Sequence, residues 1–174
     1  MRHESVGLPD AHRIAPRLHQ GAHVVDGRTL ARLDFTMVVL CAVELQPRVY
    51  GAKPLKVVRC QLDDARDYFS GDVAGKRWRR VDEAVDAAVA ELGRSGRIYV
   101  SCNMGLNRSG VVVASILRRL WPAERMTRII EHVQRARFSR QFALPALFNP
   151  HFVEALLARD AARIARTKRR STKP

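Results

Sequence analysis

The sequence lacks any long hydrophobic run. No window approaches the roughly 18 consecutive apolar residues of a membrane-spanning helix. The opening stretch, MRHESVGLPDAHRIAPRLHQG, also has no uninterrupted apolar segment of the kind that marks a secretory signal. Because both features are missing, we predict a cytoplasmic location.

Cysteine is scarce and poorly spaced for cross-linking. The chain has three cysteines, Cys41, Cys60 and Cys102, an odd number with wide spacing and no Cys-x-x-Cys pair. This pattern argues against both a disulfide framework and a zinc knuckle. We expect reduced thiols, and a reduced thiol can serve as a nucleophile because its thiolate is the reactive form.

Acidic residues are outnumbered by basic ones. The 174 residues include 31 lysines and arginines against 17 aspartates and glutamates, a formal net charge of +14. The excess is greatest over residues 159–174, where seven basic residues accompany one aspartate. Such a segment attracts nucleic acid or another acidic surface, so RNA is one predicted partner. The alternative is a helix end that continues as a solvated basic tail.

The distribution of apolar residues predicts one α/β domain. The runs FTMVVLCA, LKVVRCQL and RIYVSC are typical of buried strands, and RLHQG is interpreted as a short edge strand. Apolar residues recur every three or four positions between Trp78 and Leu92 and again from Met126, which indicates helices. SGVVVASILRRLW is apolar nearly all round and predicts a buried central helix. A last helix is expected to begin at Asn149 and Pro150.

Strands that alternate with helices predict a central, mostly parallel sheet flanked by helices. The length is that of a single domain. We divide the chain into a flexible lead-in over residues 1–16, a folded domain over 17–158, and a basic helix end or tail over 159–174.

The most informative stretch is SCNMGLNRSG, residues 101–110, in which Arg108 follows Cys102 by six positions with Gly105 between them. The spacing alone is weak evidence, because arginine is abundant and Cys60 and Arg66 share it in CQLDDAR. That second segment has two carboxylates and no glycine, which makes it a poor site for an anion.

The stretch around Cys102 has no acidic residue and joins a predicted strand to a predicted helix. A loop of this kind directs backbone N–H groups and the positive end of the helix dipole towards an anion. The same field commonly lowers a cysteine pKa from about 8.5 to roughly 3.5–7.5, and the planar guanidinium of Arg108 can pair with two phosphoryl oxygens. We therefore predict a phosphate cradle above a nucleophilic Cys102. The alternative is a core thiol beside a chance arginine.

VSCNMGLNRSG resembles the signature loop of the cysteine-dependent protein tyrosine phosphatase superfamily, Cys-x5-Arg followed by Ser or Thr. The length of the chain is most similar to the small dual-specificity phosphatases, and weaker similarity extends from FTMVVLCA to ALFNPHFVEALL. The resemblance implies a protein-tyrosine or dual-specificity phosphatase that forms a phosphocysteine intermediate. It further implies a phosphatase domain over residues 17–158, no metal or other cofactor, and an aspartate from a separate loop as general acid.

The resemblance also implies roles by position. Cys102 would attack phosphorus, Arg108 would bind the equatorial oxygens, and Ser109 would hydrogen-bond the sulfur as it leaves. The cradle would be formed by the backbone of Asn103, Met104, Gly105, Leu106, Asn107 and Arg108. One departure is Ser101, which stands where the family usually has a histidine that orders the loop and tunes the thiol. A weakly active or inactive relative is therefore an alternative.

Three aspartates follow the run VVRCQL and are candidates for the general acid. Asp64 best matches the position in the family, Asp63 is the second candidate and Asp67 the third. The 38 positions from Asp64 to Cys102 exceed the usual separation, which implies an insertion around DYFSGDVAG. The alternative is that all three are surface residues that balance local arginines.

The loop also indicates a substrate class. It carries no basic residue besides Arg108, whereas phosphoinositide phosphatases of this superfamily place extra basic residues there. A phosphorylated protein fits better, with a shallow pocket that admits phosphotyrosine and is open to phosphoserine and phosphothreonine. Two alternatives remain: an RNA 5′-phosphatase or triphosphatase of the same superfamily, which the basic charge favours, and a non-catalytic module that binds a phosphorylated ligand.

Overall fold

The computed structural model describes residues 10–47, 50, 54–65, 68–69, 75–139 and 141–171. Its main sheet is built from β1 (Ala11–Ala15), β2 (Leu18–Ala22), β3 (Met37–Ala42), β4 (Lys56–Leu62) and β5 (Ile98–Cys102). The spatial order is β1-β2-β5-β3-β4, and only the β1–β2 pair is antiparallel. A separate antiparallel pair joins β6 (Phe138–Ser139) and β7 (Leu144–Pro145). The predicted mostly parallel sheet is confirmed.

The central strands are the ones with continuous apolar sequence. All six residues of β3 and all five of β5 are buried, as expected for strands covered on both faces. Their register pairs Met37 with Ile98 and Leu40 with Ser101. Because the two strands are parallel, the residues that follow both of them emerge at the same edge of the sheet.

Five helices accompany the sheet in the described part of the chain: α1 (Gly27–Arg32), α2 (Lys76–Gly93), α3 (Asn107–Leu120), α4 (Met126–Ala136) and α5 (Pro150–Ser171). Helix α2 buries the face that includes Trp78, Val81 and Val85, as its periodicity predicts. Helix α3 is buried over its first eight residues. Asn149 Oδ1 accepts a hydrogen bond from His151 N at 3.1 Å, which confirms the predicted start of the last helix. None of these helices combines the length and the apolar composition needed to cross a bilayer.

The sheet separates two apolar clusters. The larger contains residues of α2, α3, α4 and α5 packed against one face of the sheet. The smaller lies on the other face and is built around Leu30, Phe35, Val38, Leu40 and Tyr99. Cys102, the nucleophile predicted from the sequence, belongs to the larger cluster and ends strand β5 just before α3.

The structure corrects two boundaries at the ends of the domain. Residues 11–15 of the expected flexible lead-in form β1, in which Ala11 and Ile14 are buried, with 3% and 4% of their surface exposed. Residues 1–9 lie outside the described part of the chain. Strand β1 therefore takes the edge, and RLHQG forms β2, an interior strand rather than the predicted edge strand.

The expected start of the tail at residue 159 lies inside α5. Arg159 binds both carboxylate oxygens of Asp82 at 2.6 Å and covers the ring of Trp78. Asp160 is 8% exposed and accepts a hydrogen bond from Arg118 at 2.7 Å. These two residues are part of the folded domain because both side chains are held by partners on other helices. Residues 172–174 are outside the described part.

Candidate active site

The candidate site is the turn that connects β5 to α3. Cys102 is the last residue of β5 and is 3% exposed. Ser109 lies in the first turn of α3, and its Oγ is 3.3 Å from Cys102 Sγ. The loop therefore brings the thiol and the hydroxyl into hydrogen-bonding distance at the amino end of a helix, where the first backbone N–H groups have no partner within the helix.

Gly105 allows the loop to pass close to β2. Its φ is +66°, in the region that glycine adopts without strain. A Cβ at this position would lie 2.1 Å from the carbonyl carbon of Gly21 and 2.5 Å from the nitrogen of Ala22. Positive φ and the close approach of two backbones therefore both favour glycine at this position.

Donors outside the loop bind its carbonyl oxygens. Arg137, which is fully buried, donates from Nη2 to Met104 O at 2.9 Å and from Nε to Gly105 O at 3.0 Å. Gln20 Nε2 donates to Gly105 O at 3.1 Å and to Leu106 O at 3.3 Å. In a trans peptide the N–H points opposite to the preceding C=O. The amides that follow these carbonyls therefore point away from Arg137 and Gln20.

Further contacts fix the two ends of the loop. His23 N donates to Asn103 O at 3.3 Å, and Asn107 Oδ1 accepts from Asn149 N at 3.2 Å. Asn107 is 5% exposed, so this contact lies inside the protein. A ring of backbone amides held from outside in this way can bind an anion on its inner side.

Arg108 is held in place by a carboxylate that follows β3. It is 4% exposed, and its Nη1 donates to Glu44 Oε2 at 2.5 Å. Its Nε has no hydrogen-bond partner among the described residues. Asp64 Oδ2 lies 3.8 Å from Nη2. The fork formed by Nε and Nη2 therefore has donor capacity left for an anion in the loop.

The ionisation of Arg108 and Glu44 is set by burial and by their contact with each other. Burial lowers the pKa of Arg108, but the hydrogen bond to Glu44 and the negative charge of the surrounding acidic groups outweigh this effect and raise the pKa overall. The hydrogen bond from Arg108 lowers the pKa of Glu44, although burial opposes it. Both side chains are therefore charged at neutral pH.

The three candidate acids differ in their surroundings. The side chain of Asp64 is 45% exposed and faces Arg108. Asp63 Oδ1 accepts a hydrogen bond from Ala65 N at 3.2 Å, which commits it to the local turn. Asp67 lies outside the described residues. Of the two that the structure describes, Asp64 is the carboxylate brought to the loop.

Three further polar residues, His132, Arg135 and Ser101, differ in their surroundings. His132 contacts Ile14 O at 2.7 Å and packs against Trp121. Arg135 is exposed, and Ser101 is buried with no hydrogen-bond partner for its Oγ among the described residues. In the part of the chain that the structure describes, no three His, Cys, Asp or Glu side chains cluster in a way that could hold a metal ion.

Sequence reasoning missed two contributors to the site, Glu44 and Gln20. A signal existed for Glu44, because it lies two positions after a predicted buried strand, and the carboxyl ends of parallel strands meet at one edge of the sheet. Gln20 carried a weaker signal, as a polar residue within a short predicted strand.

No family model matches the sequence, and no curated protein matches it. Solved structures do match its fold. Human DUSP28 superposes with a TM-score of 0.64 at 23% identity, covering 88% of this chain and 98% of that one. PTPMT1 in complex with PI(5)P gives 0.66 at 17% identity over 90% and 98% of the two chains. The human tyrosine phosphatase-like serine/threonine/tyrosine-interacting protein gives 0.65 at 16% identity over 88% and 97%.

These similarities span nearly the full length of each solved structure and most of this chain. The superposed folds are those of dual-specificity and tyrosine phosphatases and of phosphatase-like proteins, in agreement with the resemblance carried by VSCNMGLNRSG. The chain therefore has the fold of the small dual-specificity phosphatases.

Proposed function

We propose that this chain is a cysteine-dependent phosphatase that hydrolyses phosphomonoesters on proteins. The observation that carries the proposal is the arrangement of Cys102, Ser109 and Arg108 on one buried loop, with Sγ 3.3 Å from the hydroxyl and Nε of the guanidinium without a partner among the described residues. A thiol, a fixed cation and a ring of amides suit phosphoryl transfer, because its catalysis consists largely of positioning and charge stabilisation.

In the first step the thiolate of Cys102 attacks phosphorus, and the bond from phosphorus to the leaving oxygen breaks. Arg108 binds two of the equatorial oxygens through Nε and Nη2, while Glu44 retains Nη1. Asp64 gives its proton to the leaving oxygen, which departs as a neutral alcohol or phenol. The product is a phosphocysteine.

In the second step water attacks the phosphorus of the phosphocysteine, and the sulfur–phosphorus bond breaks. The carboxylate of Asp64 takes the proton from the water, so the acid is restored. The electron pair of the broken bond stays on Cys102 Sγ, and the hydroxyl of Ser109 donates a hydrogen bond to it. Inorganic phosphate then leaves the loop.

The charges at the mouth of the loop support a substrate with a single phosphate. Glu44 and Asp64 are both about half exposed next to Arg108, and like charges within a few ångströms repel. Additional phosphates of an inositol ring or of a triphosphate would meet the carboxylate of Glu44, which its hydrogen bond from Arg108 keeps ionised. We therefore propose phosphotyrosine on a protein as the preferred substrate, with phosphoserine and phosphothreonine as further substrates.

The test is a panel of four substrates presented to the wild type and to Cys102→Ser: a phosphotyrosine peptide, a phosphoserine peptide, a phosphoinositide and a 5′-triphosphorylated RNA. Release of inorganic phosphate is the readout. We expect hydrolysis of the peptides by the wild type and none by Cys102→Ser, because serine at this position is a much poorer nucleophile. Binding of a phosphotyrosine peptide by calorimetry should survive in the variant.

Three outcomes would contradict the proposal. Full activity of Cys102→Ser would refute the phosphocysteine mechanism. Binding without turnover by the wild type would indicate a phosphate-binding module instead. Preference for the RNA, with affinity that falls steeply as salt rises, would indicate an RNA 5′-phosphatase that uses the basic residues of α5. A cytoplasmic location stays a prediction.

A further inference from the structure

Gln20 has a polar side chain although it lies in an interior strand. The sheet is held together by backbone hydrogen bonds, which do not require this side chain. It is fully buried on β2, between β1 and β5. Its Nε2 lies 3.1 Å from Gly105 O, 3.3 Å from Leu106 O and 3.1 Å from Ser109 Oγ. Its Oε1 has no partner among the described residues. A buried amide in this state costs free energy of folding, which points to a role in the loop.

The two carbonyls fix the orientation of the amide. Gly105 O and Leu106 O can only accept hydrogen bonds, so the amide nitrogen of Gln20, and not its oxygen, must face them. The amide has two N–H groups for three acceptors, so the two carbonyl oxygens share one N–H and the other is donated to Ser109 Oγ. The hydroxyl of Ser109 is therefore an acceptor towards Gln20.

A hydroxyl has one proton to donate, and the remaining contacts direct the proton of Ser109 to Cys102. The carbonyl of Gly105, four residues earlier, would be a competing acceptor for this proton. It already accepts from Gln20 and from Arg137 Nε, so both of its lone pairs are engaged. Cys102 Sγ lies 3.3 Å from Ser109 Oγ and is an acceptor once ionised. The hydrogen bond from Gln20 thus makes Ser109 a donor to the sulfur.

We propose that Gln20 is a positioning residue that holds the Ser109 hydroxyl as a hydrogen-bond donor to Cys102 Sγ and thereby speeds the breakdown of the phosphocysteine. The inference rests on the proposed phosphatase function. In the breakdown step the electron pair of the sulfur–phosphorus bond moves onto Sγ, and a donor already aimed at the sulfur stabilises the developing charge. The Ser109 proton stays on its oxygen throughout.

The experiment is rapid-mixing kinetics with p-nitrophenyl phosphate, which separates formation of the phosphocysteine from its breakdown. In Gln20→Met, a variant of similar size without a donor, we expect breakdown to slow about tenfold, the effect of losing one hydrogen bond in the transition state. Formation should change much less, so a burst of nitrophenol should precede a slower steady rate. Gln134→Met is the matched control, because Gln134 lies on α4 and its amide donates to Leu147 O, which is not part of residues 102–109; its kinetics should equal the wild type.

A double-mutant cycle with Ser109→Ala separates positioning from a general loss of structure. If Gln20 acts through Ser109, the doubly substituted chain should break down the phosphocysteine at the rate of Ser109→Ala alone. Additive losses would overturn the inference, as would an unchanged breakdown rate in Gln20→Met. Wild-type hydrolysis that requires Cys102, together with either of these results, would leave the proposed function intact. Absence of hydrolysis by the wild type would instead be a failure of that function.

Gln20→Glu provides a second variant in case methionine prevents folding. A protonated carboxyl at this position retains one donor, and an ionised carboxyl has none. The breakdown rate of this variant should therefore fall as pH rises, over a range in which the wild type shows no such fall. A pH profile parallel to that of the wild type would contradict a donor role for residue 20.

Discussion

Arg108 and Glu44 form a direct ion pair at the mouth of the loop that joins β5 to α3, with Nη1 of the guanidinium 2.5 Å from Oε2 of the carboxylate. The pair joins the first turn of α3 to the segment that follows β3. Gln46 holds that segment by donating to Ala42 O at 2.7 Å and to Leu40 O at 3.1 Å. The guanidinium is thus oriented in advance, which would lower the entropy cost of binding the phosphate dianion that we propose as substrate.

The first prediction concerns this orientation. Glu44→Ala should reduce kcat/KM for an aryl phosphate about tenfold, because the guanidinium loses one charge-assisted hydrogen bond and can swing out of position. Glu44→Gln keeps an acceptor oxygen at the same reach and should retain most of the activity. Steady-state kinetics measure both. Equal losses in the two variants would mean that the charge of Glu44, and not its hold on Nη1, is the contribution that matters.

The second prediction assigns the general acid. Asp64→Asn should lower kcat roughly 10²–10⁴-fold for a phosphotyrosine peptide, whose leaving group needs a proton. The loss should be much smaller for p-nitrophenyl phosphate, whose leaving group is stable as an anion. Steady-state kinetics with the two substrates measure the effect.

Asp63→Asn is the matched control for this assignment. Asp63 accepts from Ala65 N in the local turn, and an asparagine oxygen can accept the same hydrogen bond. The variant should keep the kcat of the wild type and its dependence on the leaving group. If the loss appears in Asp63→Asn and not in Asp64→Asn, the roles of the two aspartates are the reverse of those proposed.

The third prediction concerns the backbone of the loop. Gly105→Ala places a Cβ 2.1 Å from the carbonyl carbon of Gly21 at a φ of +66°. Neither backbone can yield without moving the loop, so we expect a loss of about 2 kcal/mol or more in the free energy of unfolding and a loss of most activity. Denaturant titration and phosphate release measure the two effects. Gly93→Ala, with no atom within 4 Å of the added Cβ, should change neither by much.

The elements predicted most accurately are those whose sequences are almost entirely apolar, because such a composition indicates burial. FTMVVLCA is continuously apolar and SGVVVASILRRLW is apolar nearly all round, and both form buried elements next to the site. Strand β1 was missed because only two residues of AHRIA, Ala11 and Ile14, are buried. Its position depends on pairing with β2 and not on a pattern of its own. A short edge strand of this kind has no clear sequence signal.

The site divides in the same way between local and distant information. The sequence alone pointed to Cys102, Gly105 and Arg108, because their chemistry depends on short spacing within one loop. Glu44 and Gln20 reach the same loop across 64 and 85 positions of sequence. Only the order of the strands brings β2 and β3 to either side of β5, and one sequence does not reveal that order. The outer support of a loop is therefore harder to predict than its reacting groups.

The last prediction comes from the neighbour of Gln20 on β2. His19 is 2% exposed on the opposite face of the sheet and packs edge-on against Phe35, with ring centroids 5.2 Å apart. Burial, aided by the charges of Arg97 and Arg13, lowers the pKa of His19 to about 4. An unfolded histidine titrates near pH 6.5, so between about pH 6.5 and 4 the unfolded chain binds a proton that the folded chain does not.

The free energy of unfolding should therefore decrease as the pH falls from about 6.5 to 4, by at most about 3 kcal/mol from His19 alone. His19→Phe keeps a ring against Phe35 and removes the titrating group, so it should flatten the pH dependence in this window. His23, whose pKa is also lowered by burial, would retain a smaller part. His151→Phe is the control, because its side chain is 46% exposed. Urea titrations at several pH values measure the effect, and equal slopes for wild type and His19→Phe would show that His19 is not buried in its neutral form.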